Sequence, residues 1–172
     1  MSELPEPWLR GPLPGIPPLL QPAAHALVMS VEDTARAVDG LTETHLWMRP
    51  GGVGSVGYHL AHLSGSTDRL LTYARGEALT DEQFRYLKAE ADLETTRPRL
   101  DDLLAGWRQT VDAAFRQMAE TPATILTDTR RVGRAGLPST VIGLLFHAAE
   151  HASRHTGQLV TTARIVRAMD GK

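Results

Sequence analysis

Apolar residues recur at intervals of three or four positions in four long segments of the chain, which is the spacing of an amphipathic helix. Glycine follows three of these segments, at Gly40, Gly76 and Gly171, and Ser55 precedes the second, as expected of helix ends. Strand patterns are almost absent. The first predicted helix begins near 18–22 and ends near 39. The other three cover about 55–75, 98–120 and 139–169.

Three shorter segments connect these helices. Residues 80–83 read Thr-Asp-Glu-Gln, which fits a capping box and predicts a short helix after it. Residues 41–54 contain a proline and three glycines and predict a turning connection, while 128–138 predict a polar linker. We therefore predict an all-α fold, a four-helix bundle with room for one short extra helix.

A proline-rich stretch precedes the first helix. Proline removes a backbone donor and fixes φ, so this stretch is expected to be neither a regular helix nor a central strand. We predict an extended N-terminal arm over 1–18, anchored by Trp8 and Leu9, and one helical-bundle domain over 19–172. The seven prolines are Pro5, Pro7, Pro12, Pro14, Pro17, Pro18 and Pro22.

Composition narrows the classes of function. The chain has 172 residues and a formal net charge of -2, which argues against a nucleic-acid binder with a strongly basic surface. Cysteine is absent, so a metal site would need histidine, aspartate, glutamate or water as ligands. No apolar run approaches the roughly 20 residues of a membrane span, and the N-terminus lacks a signal pattern. We expect a cytoplasmic protein.

Histidines stand out in the fourth predicted helix, where "FHAAEHASRH" places His147, His151 and His155 four residues apart. Residues i and i+4 share a helix face, so His151 and His155 can direct their imidazoles to one point. Each such step also rotates by about 40° around the axis, so one ion is hard to reach from both ends of the row. We interpret His147 as a neighbour of the site or a hydrogen-bonded core histidine.

The second predicted helix offers a further ligand from His59 or His62, which lie three residues apart. Unpaired imidazoles on an apolar helix face would be costly to bury, and a metal ion would relieve that cost. Pairs of exposed histidines at this spacing also occur without metals, so packing remains the alternative. His25 is expected in the core, and His45 in a solvated loop.

Two segments, "SVGYHLAHLSGSTDRL" and "LLFHAAEHASRHTGQL", resemble the DinB-like (DinB/YfiT-like) superfamily. The resemblance covers about residues 19–169 and implies a four-helix bundle. It selects His62, which is followed by leucine, and His151 and His155, which precede Gly-Gln, as the metal ligands. Two positions depart from the pattern: Thr156 stands where arginine is common, and His59 where relatives are commonly apolar. Whether His59 adds a ligand is therefore open.

Three histidine ligands leave a coordination position open, as in catalytic zinc sites. A water there has its pKa lowered, and a thiol is deprotonated. We predict a metal-dependent hydrolase or thiol-dependent transferase that holds zinc or nickel, with Gln158 as a candidate auxiliary residue. The resemblance implies a small-molecule substrate and a low-molecular-weight thiol. The alternatives are a non-catalytic metal-binding or stress-related module, and a helical interaction domain without metal.

Glycines inside the predicted helices indicate close packing. Gly57, Gly65 and Gly143 each cost about 1 kcal/mol relative to alanine, which a close approach within the bundle or across a dimer would offset. A homodimer is expected on this ground and is common among the proteins that the sequence resembles. Glu150 and Arg154 are expected to form a solvated or interface ion pair.

Overall fold

Four long helices form the body of the protein, as the sequence predicts. The computed structural model describes residues 5–169, so residues 1–4 of the predicted arm and 170–172 of the predicted domain, including Gly171, lie outside it. Three shorter α-helices and one hairpin lie between the long helices. The helices are α1 Gln21–Val38, α2 Glu43–Trp47, α3 Val56–Arg75, α4 Asp81–Ala89, α5 Leu93–Thr96, α6 Leu100–Glu120 and α7 Val141–Met169; the strands are β1 Thr129–Val132 and β2 Leu137–Thr140.

The core lies between the long helices, with α7 packed against α1 and α3, and α3 also packed against α6. Most of the buried apolar side chains form one cluster that includes Leu63, Trp107 and Leu145. A second cluster, which includes Leu60 and Leu159, fills the other end of the α3–α7 contact. Apolar residues therefore flank the histidines on both sides along these two helices.

Helix α3 begins and ends where its capping residues indicate. The Ser55 side chain accepts a hydrogen bond from the backbone N–H of Tyr58, and Gly76 adopts the left-handed conformation at the C-terminus with φ of 81°. Helix α4 is capped by the predicted box, in which Thr80 and Gln83 satisfy each other's backbone N–H groups. These caps fix the register of the helices that lie beside the histidines.

Two of the predicted connections do join the long helices, but each contains regular structure that the sequence did not predict. Residues 41–54 include α2, whose N-terminus is capped by Thr42 and His45 through reciprocal hydrogen bonds. His45 is therefore buried in a helix and not solvated in a loop. Residues 128–138 include most of the β1–β2 hairpin, whose turn uses positive φ at Gly133 and Gly136. Left-handed glycines at both ends of a four-residue loop make the reversal possible.

The arm folds back on α1, but not through the predicted anchors. Trp8 and Leu9 are 59% and 58% exposed, whereas Pro7 and Ile16 are buried. His25 is half-buried, with Nε2 2.9 Å from the carbonyl oxygen of Gly11, so the predicted core position was wrong. Arg10 also forms a bidentate ion pair with Glu32 of α1, at 2.5 and 2.9 Å. Buried apolar residues and polar contacts to α1 thus both hold the arm.

Two glycines of α3 make close approaches within the chain. A Cβ at Gly57 would lie 2.7 Å from the Trp47 ring, and one at Gly65 would lie 2.5 Å from both Glu90 and Tyr86. Neither glycine therefore argues for a dimer, which stays a prediction. No helix within residues 5–169 combines the length and the apolar character that crossing a membrane requires.

Candidate metal centre

Helices α3 and α7 bring three histidines together at their contact. His62 comes from α3, and His151 and His155 come from consecutive turns of α7. One ring nitrogen of each lies within 4.8 Å of the other two, and all three side chains are half-buried. This arrangement can hold a divalent metal ion, as the sequence led us to expect.

The distances between the rings fit a small ion. Nε2 of His62 lies 3.0 Å from Nε2 of His151. The His155 ring centroid lies 4.4 Å from that of His62 and 4.5 Å from that of His151. Nitrogens bound tetrahedrally to zinc at about 2.0–2.1 Å are roughly 3.3 Å apart, so side-chain adjustments of an ångström or so would suffice.

His59 lies beside the group and contacts His155. Its Nδ1 is 3.1 Å from Nδ1 of His155, and its side chain is buried. This contact uses Nδ1 of His155 and leaves Nε2 for an ion. His59 thus occupies the place of a partner that orients a ligand, although the sequence left a ligand role open for it.

A buried carboxylate contacts the opposite side of His62. Glu90 follows α4, and its Oε2 lies 2.7 Å from Nδ1 of His62. Arg69 donates to Oε1 of Glu90 at 2.7 Å. Burial opposes ionisation of this carboxyl, but the hydrogen bonds from His62 and Arg69 outweigh it and hold the pKa of Glu90 below its ordinary range.

Burial also determines the charge of the histidines. It lowers the pKa of His59 to about 4, and positive charge at His62 adds to the effect. Burial likewise lowers the pKa of His155 to about 4, and positive charge at His62 and His151 contributes. Burial also lowers the pKa of His151, and positive charge at His62 adds to the effect. These imidazoles are therefore neutral near pH 7, which is the form that binds a metal.

Tyr58 covers one side of the centre and separates it from a neighbouring cavity. The Tyr58 ring stacks on His62, with centroids 5.6 Å apart and planes 12° apart. The cavity has a volume of about 390 Å³, and Tyr58 and Glu90 form part of its wall. An ion pair between Arg49 and Glu94, 2.9 Å long, also borders this space. The cavity adjoins the centre through Tyr58 and Glu90, which both contact His62, and none of the clustered histidines forms part of its wall.

The remaining candidates lie at the edge of the group or outside it. His147 is not in the core: its side chain is 49% exposed and contacts Glu150, although its ring centroid is 5.6 Å from that of His151. Glu150 also pairs with Arg154 on the surface, as predicted. Gln158 is exposed, and its side chain forms no hydrogen bond within the described residues, so its auxiliary role stays a prediction.

Thr156 has a structural explanation in this chain. It is buried, and its hydroxyl lies 2.6 Å from that of Ser30 on α1. The contact between α1 and α7 therefore accepts a small hydroxyl side chain at the position where the resemblance led us to expect arginine.

The sequence did not identify Glu90 or the part that Arg69 plays. Arg69 follows His62 by seven residues on one helix face, which was visible, but its partner comes from the segment after α4. Nothing in the spacing along the chain indicates that this segment crosses α3. The close approach at Gly65 was the one available signal, since it required something to lie against that face.

Comparison with known proteins agrees with the predicted superfamily and fold. A search of curated proteins found no match. The family sequence model of the DinB superfamily matches residues 26–159. This range is most of the chain and includes the three clustered histidines. The chain therefore belongs to the DinB superfamily.

Proposed function

We propose that this protein is a metal-dependent enzyme whose divalent ion is held by His62, His151 and His155. The observation that carries the proposal is the convergence of three imidazoles from two helices within 4.8 Å. Membership of the DinB superfamily supports it. An ion held by three neutral ligands keeps its full charge and an open position, where it lowers the pKa of a bound water or thiol.

We propose that the surrounding residues orient the ligands and that the cavity beside Tyr58 and Glu90 receives the substrate. Glu90 and His59 each contact the Nδ1 atom of a proposed ligand, which leaves the Nε2 atoms to converge. The cavity beside Tyr58, of about 390 Å³, falls in the size range of small-molecule sites. We therefore propose a small-molecule substrate, with water or a low-molecular-weight thiol as nucleophile. Imidazole suits both zinc and nickel as a ligand.

Metal content tests the site. Untagged protein should retain about one zinc or nickel ion per chain after dialysis, and a His151→Ala/His155→Ala variant should retain almost none. His25→Ala is the matched control, because His25 contacts the arm and lies outside the cluster. A wild-type protein that binds less than about a tenth of an ion per chain after incubation with either metal would contradict the proposal.

Turnover tests the reaction class. Zinc-loaded and nickel-loaded protein should act on electrophiles in the presence of low-molecular-weight thiols, or hydrolyse small esters and amides without them. The His151→Ala/His155→Ala variant should lose that activity. Stoichiometric metal with no turnover across such a panel would contradict an enzyme and favour a non-catalytic metal-binding protein.

A further inference from the structure

Glu90 is a buried acid in the part of the chain that joins α4 to α5. Its side chain is only 7% exposed, and a carboxylate so placed needs partners for both oxygens. Oε2 meets Nδ1 of His62 at 2.7 Å, and Oε1 meets Arg69 at 2.7 Å. The Arg69 side chain is itself only 11% exposed. The three side chains form one shielded row.

The row fixes the direction of the His62 ring. A carboxylate that accepts the Nδ1 proton leaves the lone pair on Nε2, and this is the nitrogen that lies 3.0 Å from His151. Arg69 holds the second oxygen, so rotation of the Glu90 carboxylate would break a charged hydrogen bond. The ring orientation therefore depends on both contacts.

Helix α3 makes space for this carboxylate. Gly65 lies between His62 and Arg69 on the same helix, and a Cβ there would lie 2.5 Å from Oε1 of Glu90. Tyr86 of α4 donates to the carbonyl oxygen of Ala61 and fixes the segment that carries Glu90. The face of α3 and the segment that crosses it thus pack closely around the Glu90 carboxylate.

We propose that Glu90 is a positioning residue of the metal site, which orients His62 toward the ion and increases the basicity of its Nε2. This inference rests on the proposed metal site. The rival explanation is that Glu90 only neutralises Arg69 and ties α4 to α3. That role would affect the free energy of unfolding but not the affinity of the folded protein for metal.

Zinc affinity separates the two roles. Metal-free wild type and Glu90→Gln should be titrated with zinc against a chromogenic chelator, and Glu90→Gln should bind about 10–100-fold more weakly. Glu150→Gln is the matched control, because Glu150 also contacts a histidine and an arginine, but its histidine, His147, is outside the cluster. This control should stay within about twofold of wild type, since exposed pairs contribute little.

The outcomes distinguish this inference from the metal site itself. A wild-type protein that binds no zinc would overturn the metal site. If wild type binds zinc and Glu90→Gln binds it with equal affinity, the proposed role of Glu90 is overturned and the metal site stands. Should Glu90→Gln fail to fold, long-range ¹H–¹⁵N spectra of zinc-loaded wild type still decide: we expect His62 bound through Nε2 with its proton on Nδ1, and binding through Nδ1 would overturn the inference.

Discussion

Nδ1 of His59 lies 3.1 Å from Nδ1 of His155 across the contact between α3 and α7. Two nitrogens at this distance share one proton, so one ring donates and the other accepts. If Nε2 of His155 provides a lone pair to an ion, its Nδ1 carries the proton and donates to His59. The buried ring of His59 would then select the tautomer of a metal ligand.

Replacing His59 should weaken metal binding without removing a ligand. His59→Phe keeps a buried ring but offers no acceptor to His155, so we expect zinc affinity to fall about tenfold. His59→Asn is the control, because its side-chain oxygen can lie near the former Nδ1 position and accept the same proton. Chelator competition measures both. Equal zinc affinities of the His59→Phe variant and the wild type would show that the contact does not orient His155.

Gly65 should tolerate no side chain. A Cβ would lie 2.5 Å from Glu90 and from the Tyr86 ring, and both are held by hydrogen bonds, so neither can easily move. We expect Gly65→Ala to lower the free energy of unfolding by about 1–3 kcal/mol, as overpacking does, and to weaken zinc binding by displacing Glu90. Urea denaturation and zinc titration measure the two effects.

Gly157→Ala is the control for that substitution. Gly157 lies within α7, and a Cβ there would meet nothing within 4 Å. Alanine should therefore stabilise the helix by up to about 1 kcal/mol, because glycine is the poorer helix former. A Gly65→Ala protein as stable as Gly157→Ala would mean that α4 can shift away from α3 at no cost.

The sequence predicted the four long helices because each has a sustained apolar period, and a glycine follows three of the four segments. Ser55 and Gly76 bound α3 in the structure as they do in the sequence pattern. The β1–β2 hairpin was missed because its strands are only four residues long and have exposed or half-buried positions, which alternate in β1 but not in β2. Periodicity carries little information over so few residues.

From spacing alone, the candidate site was predictable only where its residues share a helix. His151 and His155 follow from one spacing, and His62 from the resemblance, but His45 was misplaced because histidine replaced the usual glutamate or glutamine of a capping box. Glu90 was not found, because the crossing of the α4–α5 segment over α3 is a tertiary contact, and its one signal in the sequence, Gly65, does not identify the residue that lies against it.

Metal should stabilise the fold, since an ion that binds only the native state shifts the unfolding equilibrium. At a free zinc concentration 100 times the Kd, the gain is about 2.7 kcal/mol, or roughly 5–10 °C in Tm for a chain of this size. Thermal denaturation of metal-free wild type with and without zinc measures it, and excess chelator should reverse it. An equal shift in the His151→Ala/His155→Ala variant would place the binding elsewhere.

Arg10 should hold the arm to α1. It donates to both oxygens of Glu32 and, through Nε, to the carbonyl oxygen of Pro5. We expect Arg10→Ala to speed hydrogen exchange at the amide of Leu13, which donates to Gln21 in the docked arm. Arg36→Ala is the matched control, because Arg36 lies 3.9 Å from the same carboxylate but does not contact the arm.

The same ion pair gives the arm a defined response to acid. The hydrogen bond from Arg10 lowers the pKa of Glu32 below its ordinary 4.5, against a smaller opposing effect of burial. A carboxyl whose pKa is lowered by folding contributes its full stability above pH 4.5 and loses it as the pH falls through the lower value of the folded state. After correction for intrinsic exchange, Leu13 protection in wild type should therefore be constant from pH 7 to about 5 and fall below 4.5. Arg10→Ala should lack that acid transition at Leu13, and a transition of the same size in both proteins would assign it to another carboxyl.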